Sequence, residues 1–221
     1  MMKRMSYADK IGALLSPAER AVFIKLNTPQ KVQDYLDAMP LNFEVRGEEG
    51  IYSPREVLKK KKAQCMEGAL LAVAALEYNG QRAYLLDLRT PEYDYDHVVA
   101  LFKVGGRWGA ISKTNHPVLR WRDPVYTSVR ELAVSYFHEY FLFSGEKTLK
   151  SHSDAFSLHP YPLERWLTTE DDLDWLATEL DKAKHFPIAS PKAMKSLRRA
   201  SKIERKATEM VEWKDPSKKK A

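Results

Sequence analysis

The sequence predicts an α+β fold in which an antiparallel sheet packs on one buried helix. Three observations predict it. The stretch Met66 to Tyr78 is built of strong helix formers and is apolar almost all round, the pattern of a helix enclosed by the protein. The strand-type segments cluster directly after it: Arg82 to Leu88, then His97 to Val104 and Arg107 to Ser112 as a hairpin about Gly105-Gly106. Helix-start signals stand before and after this group rather than alternating with its strands, which favours segregated helices over a parallel α/β sheet.

Each element follows from local chemistry. Ser6 to Leu26 carries Ile11, Leu14, Leu15, Ala18, Val22 and Leu26 at helical spacing, and Ser16-Pro17 with Glu19 begins a second helix inside it. Thr28-Pro29 opens a short helix with Val32, Tyr35, Leu36 and Met39 on its apolar side, and Pro40 ends it. Ser53-Pro54-Arg55-Glu56 is a capped start for the next helix. Asn79-Gly80 stops the buried helix. Ser128 with Glu131 opens a helix running through Tyr140, and Thr169 precedes one whose first turn is acidic. Ser190-Pro191 starts a last, basic helix to about Trp213.

Composition narrows the class. With 44% hydrophobic and 30% charged residues the chain is not of disordered type, and 221 residues suffice for a core without staples. One cysteine excludes an intramolecular disulfide and a cysteine-rich zinc site. The basic start Met1 to Arg4 is followed by no continuous apolar segment, and no run of about 18 apolar residues occurs, so the expectation is a cytoplasmic protein without a membrane span. The net charge of +6 is uneven: residues 182–221 carry +9 and residues 1–181 carry −3. The expected organisation is a domain over 1–181 and a basic helical extension, partly flexible, over 182–221. That extension could touch nucleic acid or an acidic partner weakly, though Trp213 is its sole indole for stacking on a base.

The chemistry centres on Cys65. It lies at the first turn of the buried helix, where unpaired amides and the positive end of the helix dipole favour thiolate over thiol. The same amides can hold an oxyanion once a thiolate attacks a carbonyl. Such a nucleophile needs a base, usually His. A two-residue turn at Gly105-Gly106 pairs Val104 with Arg107, so His97, Ser112 and Thr114 share one face and Ser112 is a diagonal neighbour of His97. Asn115 falls on the other face. His138-Glu139 lacks the second His of a zinc-binding helix, and His116, His152, His159 and His185 show no metal spacing.

Taken together, Ser53-Pro54-Arg55-Glu56-Val57-Leu58, Gln64-Cys65 with its buried helix, His97-Val98-Val99-Ala100-Leu101-Phe102 and Gly105-Gly106-Arg107-Trp108 resemble the core of the transglutaminase-like superfamily. The resemblance spans roughly Asn42 to Thr114. It implies a papain-related fold and a catalytic set of Cys65, His97 and a third residue on the next strand. The family's usual Asp falls at Ser112, which accepts a bond from His but brings no charge. Thr114, Asn115 and Asp96 are alternatives for that role, and Gln64, Thr114 and Asn115 are the supporting residues around an oxyanion. The implied activity is cysteine-dependent acyl transfer on an amide or peptide carbonyl, of protease, amidase or transglutaminase type, with a peptide or protein substrate and no metal or organic cofactor. His97 would pair with the thiolate and protonate the leaving amine. The alternative is a catalytically impaired module that binds a peptide or protein.

Overall fold

The computed structural model describes residues 5–43 and 50–215. Met1 to Arg4 and the last six residues of the basic tail lie outside them. The N-terminal helices are α1 (Tyr7–Leu14), α2 (Pro17–Lys25), α3 (Pro29–Asp37) and α4 (Pro54–Lys60). Each begins at a capping side chain, of which Ser16 and Ser53 were read from sequence. Ser6, Ser16, Thr28 and Ser53 accept the backbone N–H of Asp9, Glu19, Lys31 and Glu56 in turn, satisfying donors the helix leaves open. Ser16-Pro17 does split the first stretch in two. Lys61, at φ 54°, closes α4 with a left-handed residue.

The buried helix is α5 (Cys65–Tyr78), with Cys65 as its first residue. Its far end is tied down by Asn79, whose side-chain amide donates to the carbonyls of Phe23 (2.9 Å) and Leu26 (3.3 Å) at the end of α2. Three strands follow: β1 (Tyr84–Arg89), β2 (His97–Val104) and β3 (Arg107–Ile111). The hairpin register is the one the two-residue turn requires, with Val104 opposite Arg107 and Ala100 opposite Ile111. Gly105 and Gly106 both take positive φ, 57° and 78°, which that turn demands and which glycine adopts without steric cost.

The second half holds β4 (Arg122–Tyr126), α6 (Val129–Val134), β5 (Ser151–Ser153), α7 (Leu163–Trp166), α8 (Asp174–Lys182), β6 (His185–Pro187), α9 (Pro191–Lys195) and α10 (Lys202–Ala207). The six strands form one antiparallel sheet in the order β4-β3-β2-β1-β5-β6. Alternation along β2 feeds two cores. Val98, Ala100 and Phe102 pack with α5 and the N-terminal helices. Val99 and Leu101 pack on the opposite face with Leu132, Ala133, Tyr136 and Tyr140. Both faces of the sheet are therefore covered, which explains why β2 reads as a continuous apolar run.

Three expectations shift. The helix opened by Ser128 stops at Val134, and Phe137–Glu139 continues only as a 3-10 turn. The acidic start at Thr169 is a turn instead: Thr169 accepts the N–H of Asp171 and Asp172 that of Asp174, and α8 begins five residues later. The basic tail is not one helix. It supplies the edge strand β6 and two short helices, α9 and α10. The boundary after residue 181 thus cuts through the sheet's supporting layer rather than between a domain and an appendage. Ile188 is buried, its N–H bonds to the Lys150 carbonyl at 2.8 Å, and Arg130 donates to the carbonyls of Pro187 (2.9 Å) and Ile188 (2.8 Å). Isolated helices of this length are marginal in water, so packing decides the form of such a segment.

Ile188→Ala is expected to lower stability by about 2–4 kcal/mol, the usual cost of truncating a buried isoleucine. Urea unfolding monitored by tryptophan fluorescence checks this. An unchanged midpoint would mean that residues 185–188 do not hold to the sheet in solution.

Candidate active site

Cys65 and His97 reach one end of the sheet from opposite sides. α5 packs on the face of Val98 and Ala100, and Cys65 sits at its N-terminal tip. His97 shares the parity of Val99 and Leu101 on the other face and is buried at 6% exposure. Tyr140 belongs to the core on the same face of the sheet as Val99 and Leu101. Its hydroxyl is pushed far above the usual phenol range by burial and then by the acidic groups of Asp94, Cys65, Asp96 and Asp87. It donates to the carbonyl of Tyr95, two residues before His97. Cys65 is half-buried.

His97 Nε2 and Ser112 Oγ lie 2.7 Å apart, and Ser112 is fully buried. The diagonal neighbour read from the hairpin register is therefore a direct hydrogen bond. Among the described residues no carboxylate offsets the imidazole. Burial, followed by the positive charges of His116 and Arg122, lowers His97 from 6.5 to about 4. At neutral pH the ring is therefore uncharged. A hydroxyl can orient the ring and select its tautomer, yet it leaves the cationic form unsupported.

The other residues expected at the third position do different work. Thr114 Oγ1 accepts the N–H of His116 at 3.2 Å. Asn115 clamps the tail: its side chain donates to the Trp213 carbonyl (2.9 Å) and accepts the Trp213 N–H (2.8 Å). Asp96 accepts from the Thr90 N–H (2.7 Å) and hydroxyl (3.0 Å). Gln64 is the N-cap of α5, and its N–H donates to Glu67 at 2.7 Å.

Several positioning residues escaped the sequence reading. β3 ends at Ile111, and at Ser112 the side chain of Gln33 replaces the neighbouring strand. Gln33 Oε1 accepts the Ser112 N–H at 2.9 Å, and Gln33 Nε2 donates to the Ser112 carbonyl at 3.0 Å. The next residue, Lys113, turns inward at 1% exposure. Its ammonium donates to the carbonyls of Leu36 (2.8 Å) and Met39 at the end of α3, where the helix dipole is negative. Burial still lowers it, to about 8. Glu67, wholly buried in the first turn of α5, accepts the N–H of Tyr52 at 3.1 Å and the amide of Asn42 at 3.3 Å, while burial raises its carboxyl. A clue to this packing was visible: Gly68 sits inside a helix of strong formers, as a glycine does where another backbone comes close. A Cβ there would lie 2.5 Å from the Lys113 Cβ.

The carboxylates of Asp87, Asp96 and Asp181 lie within 4.8 Å of one another, a grouping that could face a metal ion. Arg89 meets Asp181 at 2.9 Å and Asp87 at 3.9 Å, so the cluster already has a counter-charge.

Residues 19–123 match the family model described as a transglutaminase-like domain. No curated protein matches the chain. The match runs from α2 to the start of β4 and includes Cys65, His97, Ser112, Gln33 and Gly68. The match is therefore wider than the motifs from Asn42 to Thr114. The strands β5 and β6 and all the helices from α6 onward lie outside the match. Among the described residues no helix is long and apolar enough to cross a membrane.

Gly68→Ala should destabilise by about 1–3 kcal/mol, because overpacking against Lys113 outweighs the ~1 kcal/mol of helix propensity gained. Denaturant unfolding reads the sign, and a gain in stability would disprove the close approach. Acid gives a second test. Between the folded value of about 4 and the unfolded 6.5, the unfolded chain binds more protons at His97. Stability should therefore fall as pH drops through that window, by about 3 kcal/mol in total from this group. His97→Gln should flatten the profile between pH 6.5 and 4. Identical slopes in the two proteins would show that the imidazole titrates as if in solvent.

Proposed function

We propose that Cys65, His97 and Ser112 form a cysteine-dependent acyl-transfer site that attacks an amide or peptide carbonyl. The observation that carries the reading is the 2.7 Å bond from His97 Nε2 to Ser112 Oγ at the sheet end toward which the tip of α5 brings Cys65. The matched domain supports the same reading.

With Ser112 as acceptor, Nε2 carries the ring proton and Nδ1 offers its lone pair. The neutral imidazole takes the proton from Cys65 as sulfur attacks the carbonyl carbon. The open amides of the first turn of α5 receive the oxyanion. Collapse breaks the C–N bond, His97 returns its proton to the leaving amine, and a thioester remains on Cys65. Water or a second amine then attacks the thioester carbonyl. Water gives hydrolysis and an amine gives transamidation by the same steps. The base begins neutral, so proton transfer accompanies attack instead of preceding it.

A glutamine- and lysine-containing peptide mixture, followed by mass spectrometry, tests the reading. Cleavage, deamidation or cross-linking should vanish in Cys65→Ala and fall by about 10²–10⁴ in His97→Ala. Ser112→Asp should raise the His97 titration measured by NMR by at least about one unit, since a nearby negative charge favours the imidazolium. An unmoved titration would remove Ser112 from the site. A Cys65 that forms no thioester and alkylates no faster than an ordinary thiol, whose pKa is about 8.5, would end the enzymatic reading.

A further inference from the structure

The geometry points to a docking groove for an extended acidic peptide segment, formed between the β1–β2 loop, residues 146–151 and residues 187–199. The groove holds about 800 Å³, within the range of ligand-binding clefts. Five cations line it, Lys147, Lys150, Lys195, Arg198 and Arg199, against the single carboxylate of Glu146. That carboxylate is occupied by the Tyr93 hydroxyl at 2.7 Å.

The cations are not all spent within the protein. Arg198 meets Glu204 at 3.0 Å, Lys147 donates to the His138 carbonyl, and Arg199 reaches the Ser144 carbonyl at 3.5 Å. Among the described residues, Lys150 and Lys195 have no carboxylate within salt-bridge distance, and both are exposed. Held on a concave surface, such charges concentrate an anionic partner at the groove. The +9 of residues 182–221 is thus partly directed at one cleft rather than spread over a solvated helix.

The floor selects the kind of anion. Pro187, Pro191, Met194 and Leu197 line it with apolar groups. A polynucleotide needs aromatic platforms for its bases. Tyr93 is the groove's one aromatic, its hydroxyl is engaged, and Glu146 beside it repels a uniformly charged phosphate chain. An extended peptide alternating acidic and apolar side chains satisfies both rim and floor.

The groove also leads to the site. Lys147 bridges Phe141, the Thr148 N–H donates to the Tyr140 carbonyl at 3.1 Å, and the Tyr140 hydroxyl holds Tyr95. Pro91 and Tyr93 belong to the loop that ends at His97. A segment lying in the groove would hold its parent chain beside that loop. In that use, as an anchor for an acidic peptide or protein substrate, the inference rests on the acyl-transfer reading.

Fluorescence anisotropy with the full chain carrying Cys65→Ala separates binding from turnover. The probes are a fluorescein-labelled peptide alternating Glu and Leu, its Gln counterpart and a labelled oligouridylate. The Glu peptide should bind at least about tenfold tighter than the Gln peptide, and rising salt should weaken it. Lys150→Glu with Lys195→Glu should cost about tenfold more, and the milder Lys150→Gln with Lys195→Gln should show the same direction. Equal binding of the Glu and Gln peptides would overturn the inference, as would indifference to both double variants. Tighter capture of the oligouridylate through the same lysines would overturn it in favour of a nucleic acid. Absent peptide binding in a protein whose native Cys65 still forms a thioester rejects the groove and leaves the acyl-transfer reading intact. Charge-dependent peptide binding alongside an inert Cys65 rejects that reading and keeps the groove.

Discussion

The close approach of Gly68 to Lys113 is the constraint on which the site depends. It sets how near the continuation of β3 comes to α5, with 2.5 Å between a hypothetical Gly68 Cβ and the Lys113 Cβ. Only glycine leaves room there, at a helix-propensity cost of ~1 kcal/mol relative to alanine. Lys113 in turn fills the space between α5 and the end of α3, placing its ammonium on the carbonyls of Leu36 and Met39. A buried ammonium without such partners would be far more costly. Gln33, one helical turn before Leu36–Asp37, pairs with both backbone groups of Ser112. One contact thus aligns α5, α3 and the strand end, and so orients the hydroxyl that meets His97.

Electrostatics around this frame keep the His97 imidazole uncharged at neutral pH. His97 is lowered to about 4, with burial as the leading cause and two cations acting in the same direction. The buried carboxylate of Glu67 faces the start of α5 from inside and is bonded to the N–H groups of Gln64 and Tyr52. It stabilises the helix start and holds Gln64 in its extended conformation, at φ −97° and ψ −173°. An aspartate at position 112 would charge this arrangement; a serine keeps its geometry while leaving the imidazole a weak base. Weak basicity limits how completely a thiol is deprotonated before attack, so the proton and the nucleophile must move together.

The C-terminal residues are part of this architecture. β6 extends the sheet beyond β5, Ile188 closes the core that holds Tyr140, and Asn115 secures Trp213 only three residues after Ser112. Arg120 adds an ion pair to Glu212. The tail returns across the molecule to the two regions nearest the chemistry, the loop before His97 and the segment after Ser112. Lys195, Arg198 and Arg199 of this segment line the groove with Pro91 and Tyr93 of the β1–β2 loop.

The sequence alone determined the elements whose signals are local. The caps at Ser16 and Ser53, the helix start at Thr28-Pro29, the stop at Asn79-Gly80 and the Gly105-Gly106 turn depend on neighbours a few residues away. They could be read without knowing the fold. The pairing of His97 with Ser112 was legible for the same reason, because a two-residue turn dictates register along the whole hairpin. Cys65 at a helix start followed from the cap and the apolar run. Tertiary structure decided the rest. β4, β5 and β6 are short and polar or interrupted by proline, and they become strands only because an existing edge accepts them. Gln33, Lys113 and Tyr140 act on residues 79, 77 and 45 positions away. The neutrality of His97 comes from burial by layers on both sides of the sheet, a property that no local spacing encodes.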